Sequence, residues 1–224
     1  DFKITPSQLS NSITSKTKAF LFSSPCNPSG SVYSKYELEE IANVLKKHKN
    51  IIIISDEIYE HINFHDKHFS IGALESLKDQ VVTVNGLSKG FAMTGWRLGY
   101  IGAPKKIANA CIKMQGQITS ATCSITQRAA ITALKGDPIH PKKMCKSFKI
   151  RRDLIINELS KIKQIKINKP DGAFYVFPDV SNFFGSYYNN NKIKNSEDLS
   201  MFLLTDSGVA TVSGKAFGND NCIR

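Results

Sequence analysis

One lysine of this 224-residue chain lies where carbonyl chemistry is favoured. Lys89 follows the apolar stretch 81–84 and is surrounded by small residues. Partial desolvation of such an amine lowers its pKa and makes it a better nucleophile toward a carbonyl carbon. Arg97, further along the same run, offers a permanent cation whose planar fork suits a phosphate. A lone lysine in a glycine-rich loop is usually a surface residue, so the interpretation depends on companions elsewhere.

Two upstream motifs supply those companions. Asn27 lies in the run Ser-Pro-Cys-Asn-Pro-Ser-Gly, where two prolines and a glycine predict a sharp turn that presents its amide. Asp56 follows four consecutive isoleucines, 51–54, which are typical of a strand buried on both faces in a parallel sheet. Ligands of such sheets bind beyond the carboxyl ends of the strands, where Asp56 is expected.

A carboxylate at that position requires a partner. Burying it unpaired costs several kcal/mol, so Asp56 is expected to have a fixed cationic partner. The commoner explanations for such an aspartate are a helix N-cap or an internal salt bridge. Both stay open on the sequence alone.

With these residues the chain resembles a known family, the fold-type I, class I aminotransferases, and most closely the aspartate aminotransferases of the bacterial branch. The resemblance runs from about residue 17 to residue 224. It rests on four motifs in the family's order: Asn-Pro-x-Gly from Asn27, Ser-Asp-Glu-Ile-Tyr from Ser55, Ser-Lys-Gly-Phe-Ala-Met-Thr-Gly-Trp-Arg from Ser88, and Cys-Ile-Arg ending at Arg224. Each motif alone is moderate evidence, and the combination is specific.

The resemblance implies a site for pyridoxal 5'-phosphate. Lys89 would hold the cofactor covalently and act as the catalytic base. Asp56 would pair with the pyridine nitrogen and keep it protonated, while Tyr59 and Asn27 would hydrogen-bond the ring's phenolic oxygen. Arg97 would bind the phosphate. No metal is implied.

The resemblance also assigns the substrate side. Arg224 would bind the α-carboxylate of the amino acid in a bidentate pair, with Asn27 close by. Many relatives place a phosphate-binding serine three residues before the lysine, but here that residue is Gly86. Ser88 is the nearby hydroxyl that could take its place.

The activity implied is transfer of an amino group between an amino acid, aspartate, and a 2-oxo acid, 2-oxoglutarate. Two alternatives stay open: a transaminase for aromatic or prephenate-type substrates, and a catalytically silent segment that serves only subunit packing. The chain is shorter than a complete enzyme of this type, so we expect an internal fragment of a protein that is a homodimer at full length.

The expected fold is α/β, a three-layer α/β/α arrangement with a mainly parallel sheet, followed by a smaller α/β domain. Residues 1–138 are assigned to the large domain and 139–224 to the small one. A capping box at Ser34 predicts a helix between the first two strands. Further helices are predicted over 104–117, 124–135 and about 141–163, with strands at 81–84 and 98–101 and, in the small domain, at 172–177.

Composition narrows the class of protein. A hydrophobic content of 41% and a charged content of 22% are globular values. No apolar stretch reaches membrane-spanning length. Five cysteines without a Cys-x-x-Cys pair argue against a disulfide framework or a zinc site and favour a reducing cytoplasm. The net charge of +11 comes from scattered lysines without a nucleic-acid module, so a solvated basic surface is expected and no nucleic-acid partner.

Overall fold

A four-stranded sheet organises the first half of the chain. The computed structural model describes residues 2–65, 67–188 and 191–224. Strands β1 (Ala19–Ser23), β2 (Ile52–Asp56) and β3 (Val81–Gly86) are parallel, and β4 (Gly99–Gly102) pairs with β3 in the antiparallel sense. The spatial order follows the sequence order. The predicted α/β fold with a mainly parallel sheet is confirmed.

The register of the sheet brings the motifs to one edge. Ser23 pairs with Asp56, and Asp56 pairs with Val84. The three parallel strands therefore end at the same level, and each is followed by one of the motifs: the loop of Asn27, the turn of Tyr59 and the loop of Lys89. This is the carboxyl edge, where ligands of open α/β sheets bind.

Two capped helices cover one face of the sheet. Helix α1 (Pro6–Ser12) begins with a capping box at Thr5, and α2 (Lys35–Leu45) with the predicted one at Ser34, whose hydroxyl accepts from the amide of Glu37 while the Glu37 carboxylate accepts from the amide of Ser34. The apolar stripe of α2 packs into the main core with residues of β2 and β3. The buried residues of this main core include Leu38, Ile41, Leu45, Ile53, Ile71, Leu77 and Val81.

The opposite face is less covered than the sequence predicts. Four isoleucines indicate a strand buried on both faces, yet Ile52 is 38% exposed, and Leu21, on the same face of β1, is 67% exposed. Ile53 on the covered face is fully buried. The prediction that β2 is buried on both faces is therefore wrong at Ile52, although Ile54 on the same face is half-buried.

Three helices follow β4. Helix α3 spans Lys105–Ile118 and α4 spans Ser124–Lys135, both within a residue of prediction. Helix α5 spans Ile139–Ser160 and begins two residues before the predicted start. The carboxylate of Asp137 accepts from the amide of Ile139, and Pro141 fits the first turn because a proline there gives up no helical hydrogen bond. We keep 138/139 as the proposed domain boundary.

The remaining elements are short. Strands β5 (Tyr187–Tyr188) and β6 (Asn191–Lys192) form an antiparallel pair, and helix α6 spans Ser196–Ser207. Single 3-10 turns occur at Ile71–Ala73, Glu75–Leu77, Thr94–Trp96, Ser181–Phe183 and Gly214–Phe217. A second core joins α6 to the last residues through Val180, Ile193, Leu199 and Ile223. No helix of the described residues is both long and apolar enough to span a bilayer.

The predicted strand at 172–177 does not form. The amides of Asp171 and Gly172 both donate to the carbonyl of Gly30, and that of Ala173 donates to the carbonyl of Ile62. Ala173 has a φ of 56°, which interrupts an extended backbone. The apolar residues of this segment are thus held by two loops of the sheet edge instead of by a neighbouring strand.

Candidate active site

Asp56 closes β2 with one carboxylate oxygen engaged. Its Oδ1 accepts from the amide of Ile58 at 3.1 Å, and the side chain is half-buried. Within the described ranges Asp56 has no ion pair, and the residues that follow form a turn and not a helix. The salt-bridge and helix-cap explanations therefore do not apply here, and the second carboxylate oxygen is available to a cationic ligand.

Tyr59 is buried next to this carboxylate. The side chain is 3% exposed, and its hydroxyl lies 2.5 Å from the hydroxyl of Tyr175. Burial, followed by the hydrogen bond with Tyr175 and the negative charge of Asp56, raises the pKa of Tyr59 far above its usual value. Tyr59 is therefore a protonated hydroxyl at any ordinary pH.

Lys89 lies half-buried in the loop after β3. Its Nζ is 5.8 Å from the ring centroid of Phe174, and that ring meets Tyr59 edge-on at 5.3 Å between centroids. No carboxylate of the described chain forms an ion pair with the amine. The predicted nucleophile is thus set against an aromatic face close to Tyr59 and is not engaged in a surface salt bridge.

Arg224 and Asn27 are in direct contact. The guanidinium Nη1 donates to Oδ1 of Asn27 at 2.8 Å, across 197 residues of sequence. The guanidinium carbon lies 4.7 Å from the ring centroid of Tyr175 and 4.9 Å from that of Phe217. Two aromatic faces and one amide therefore orient the guanidinium, and the amide nitrogen of Asn27 stays available as a donor.

A close backbone approach holds these loops together. Gly30 has a φ of +69°, and a Cβ there would lie 2.7 Å from the carbonyl oxygen of Gly172. Its own carbonyl accepts from the amides of Asp171 and Gly172, both at 2.9 Å. The glycine of the Asn-Pro-x-Gly motif thus lets the segment carrying Phe174 and Tyr175 dock against the loop of Asn27.

Arg97 and Ser88 are not joined to the other predicted residues by any described contact. The Nη1 of Arg97 donates to the carbonyl of Thr94 at 2.7 Å, and its backbone is left-handed at φ 53° and ψ 55°. The side chain is exposed, and a ligand could reach it. At Gly86 a Cβ would lie 2.9 Å from the carbonyl of Leu98, so the strand end is tightly packed there.

Glu57, the residue after Asp56, has a structural role. It is 2% exposed, and its oxygens accept from the hydroxyls of Ser55 and Ser70 and pair with Nε2 of His68 at 2.8 Å. Ligand atoms of Glu57, Glu60 and His68 lie within 4.8 Å of one another. Because hydroxyls and an imidazole already engage the carboxylate, the group fastens the turn that carries Tyr59.

Sequence reasoning missed three aromatic residues of this site. Phe174, Tyr175 and Phe217 supply the ring faces around Lys89 and Arg224 and the hydroxyl bonded to Tyr59. The run Gly-Ala-Phe-Tyr was interpreted as a strand of another domain. One proline, Pro170, and the small residues Gly172 and Ala173 precede this aromatic pair, and they are the sequence signal for a loop docked against another backbone.

A lysine, an aspartate, a tyrosine and an asparagine–arginine pair thus lie on or contact the loops at the carboxyl edge of a mainly parallel sheet. The chain belongs to the family described as aminotransferase class I and II, whose sequence model matches residues 1–224.

Individual relatives agree with that assignment. The chain is 45% identical over 231 residues to the bifunctional aspartate aminotransferase and glutamate/aspartate-prephenate aminotransferase of Petunia hybrida, covering all of this chain and 48% of that protein. It is 43% identical to the probable aspartate/prephenate aminotransferase of Rickettsia typhi, of which it covers 57%. The aspartate aminotransferase structure from Rhizobium meliloti superimposes with a TM-score of 0.94 at 38% identity, covering 99% of this chain and 56% of that one. The chain thus spans about half the length of the relatives it matches.

Proposed function

We propose that this chain supplies the cofactor-holding lysine and the substrate-binding arginine of a pyridoxal-phosphate-dependent aminotransferase. The observation that carries the proposal is the contact between Arg224 and Asn27, two motif residues 197 positions apart. The same cluster contains Tyr59 and Lys89 through the rings of Tyr175 and Phe174. Motif residues from distant segments converge, as a common ligand requires.

The donor set fits pyridoxal phosphate. Asp56 offers a free carboxylate oxygen for a protonated ring nitrogen, and Tyr59 offers a neutral hydroxyl for the phenolic oxygen. Lys89 offers an amine for the carbonyl carbon, and Arg97 an exposed guanidinium for the phosphate. Ser88 remains a proposed additional phosphate contact. When bound, this cofactor supplies an electron sink for a carbanion at the substrate α-carbon.

The protein's own residues then have defined tasks. Lys89, once free of the cofactor, acts as the base that takes the α-proton of the substrate and returns it to the cofactor side. Asp56 places a negative charge where the positive ring nitrogen must be stabilised. Tyr59, protonated because it is buried, donates to the phenolic oxygen. Arg224 binds the substrate carboxylate bidentately, which fixes the α-carbon within reach of Lys89.

Aspartate with 2-oxoglutarate is the substrate pair we propose. A prephenate-type 2-oxo acid is the second candidate, favoured because several relatives are named aspartate/prephenate aminotransferases. We further propose a homodimeric full-length enzyme in the cytoplasm. The experiments below use a full-length enzyme that contains this chain, because about half of the relatives' length lies outside it.

A spectroscopic and kinetic test addresses the proposal. Purified enzyme with pyridoxal phosphate is expected to show a visible absorption band that aspartate bleaches and 2-oxoglutarate restores. Initial rates over both substrates should give the parallel double-reciprocal lines of a ping-pong mechanism. Replacing 2-oxoglutarate by prephenate ranks the two candidates. A protein that binds no cofactor and transfers no amino group from aspartate to either acceptor would support the packing role instead.

Arg224→Lys should weaken substrate binding without loosening the cofactor. A single ammonium cannot reproduce the bidentate pair with a carboxylate, so we expect roughly 10- to 100-fold weaker binding of maleate. Titration with maleate and cofactor occupancy from the visible band are measured on the same variant. Arg128→Lys, an exposed arginine of α4, is the matched control and should change neither quantity. Loss of occupancy with unchanged maleate affinity would place Arg224 on the cofactor instead.

A further inference from the structure

Tyr175 contacts two residues with different proposed ligands, one that binds the cofactor and one that binds the substrate. Its hydroxyl is 2.5 Å from that of Tyr59, the proposed partner of the cofactor's phenolic oxygen. Its ring lies 4.7 Å from the guanidinium carbon of Arg224, the proposed partner of the substrate carboxylate. Among the described residues it is the side chain that touches both.

Either hydroxyl can donate in this contact, and the two directions differ in what they leave Tyr59 free to do. Each hydroxyl has one proton to donate and can accept from another donor. Only one proton can lie between the two oxygens. When Tyr175 donates to Tyr59, the proton of Tyr59 is free to point toward another acceptor, and the donation polarises it for that purpose. Tyr59 can then donate to a ligand while its own oxygen stays satisfied.

The ring of Tyr175 performs a separate task at Arg224. The guanidinium carbon lies 4.7 Å from the ring centroid of Tyr175 and 4.9 Å from that of Phe217. An arginine on an aromatic face is attracted by the ring quadrupole and restricted in rotation. The Nη1 of the guanidinium donates to Asn27, and the contacts with the two rings restrict its movement further. A substrate carboxylate therefore meets a guanidinium already oriented for a bidentate pair.

The segment that carries Tyr175 is itself held by residues that are distant in sequence. The buried guanidinium of Arg152 donates to the carbonyl of Pro170, and the amide of Ala173 donates to the carbonyl of Ile62 at 2.7 Å. The ring of Tyr175 also packs against Phe174 at 4.8 Å between centroids. The backbone leading into Tyr175 is thus anchored at Pro170 and Ala173, and the ring of Phe174 supports the side chain of Tyr175.

We propose that Tyr175 is a positioning residue that aims the hydroxyl of Tyr59 at the cofactor and the guanidinium of Arg224 at the substrate carboxylate. The hydroxyl serves the first task and the ring the second. This inference rests on the proposed function and assigns Tyr175 no contact with the reacting atoms.

The hydroxyl task is tested with Tyr175→Phe in the cofactor-loaded full-length enzyme. With the cofactor bound, a hydrogen bond from Tyr59 would stabilise negative charge on the phenolic oxygen. That oxygen would then stabilise the protonated form of the nitrogen that joins Lys89 to the cofactor less strongly. Losing the polarising partner should raise the pH midpoint of the visible band by about half a pKa unit to one unit. Tyr59→Phe should shift it further in the same direction. The other charged groups acting on Tyr59, Asp56 and Arg224, are unchanged in Tyr175→Phe.

The ring task is tested with Tyr175→Leu. The phenylalanine variant keeps the aromatic face and should bind maleate as the wild type does. The leucine variant loses the face and should bind maleate about two- to fivefold more weakly, as well as shifting the midpoint. Tyr36→Phe, an exposed tyrosine of α2, is the control and should change neither value. The two variants thus separate the hydroxyl from the ring.

A double-mutant cycle completes the design. In the Tyr59→Phe background, Tyr175→Phe should shift the midpoint no further, because its effect passes through Tyr59. An unchanged midpoint in Tyr175→Phe alone, or equal shifts in both backgrounds, would overturn the inference even if the melting temperature falls. These outcomes presuppose a wild-type enzyme with a visible band. Absence of that band in the wild type would instead contradict the proposed function.

Discussion

Lys89→Ala in the full-length enzyme is expected to lower amino-group transfer by about four orders of magnitude or more. The substitution removes both the nucleophile that holds the cofactor and the base that moves the α-proton, and a positioned base alone contributes about 10²- to 10⁴-fold. Cofactor should still bind, more weakly, because Arg97 and Asp56 remain. The half-buried amine against Phe174 has no ion pair in the described chain to lose, so folding should be little affected.

Three measurements check this result. Steady-state transfer from aspartate to 2-oxoglutarate gives the loss, and the band of bound cofactor should move to that of the free aldehyde. Added methylamine should partly restore the reaction, since a small amine can replace the missing base. Lys113→Ala, on the exposed surface of α3, should behave as the wild type. Near-normal turnover by Lys89→Ala would remove this lysine from the mechanism.

Asp56→Asn is expected to cost about 3 to 4 kcal/mol of transition-state stabilisation, or roughly 10²- to 10³-fold in rate. Asparagine keeps an oxygen for the amide of Ile58, so the turn is preserved. It loses the negative charge that keeps the ring nitrogen protonated, and the electron sink is weakened as a result.

The rate of α-proton removal in a single turnover checks the role of Asp56, and Asp79→Asn in an exposed turn is the matched control. The asparagine variant should retain its melting temperature and its affinity for maleate, because neither depends on the ring nitrogen. Equal rates in Asp56→Asn and the wild type would show that the carboxylate only stabilises the turn.

Local patterns predicted the elements that build the sheet edge. The capping box of Ser34 and the isoleucine run before Asp56 each act within a few residues, so α2 and β2 lie close to where the sequence places them. The motif residues Asn27 and Arg224 were predicted to share a ligand, and they are in contact.

Other contacts set by tertiary packing do not follow from local patterns. The aromatic residues of the Tyr175 segment favour a strand, yet the backbone amides just before Tyr175 donate to the carbonyls of Gly30 and Ile62, more than a hundred residues earlier. The open face of β2 has a related cause. An apolar run encodes the tendency of Ile52 to be buried and does not specify what covers it.

The hydrogen bond between Asn27 and Arg224 has a consequence for the order of folding. Closing a loop of 197 residues carries a chain-entropy cost of about 5 kcal/mol before any contact offsets it. If the pairing of Gly30 with Asp171 and Gly172 forms first, it closes most of that loop, and only the shorter stretch from Gly172 to Arg224 is left to close. Loop entropy therefore favours formation of the part of the site that contains Lys89, Asp56 and Tyr59 before Arg224 binds to Asn27. We call this part the cofactor half. The cofactor, which we propose binds the cofactor half, would therefore stabilise the partly folded chain. Substrate could not yet bind at that stage, because Arg224 would not be in place.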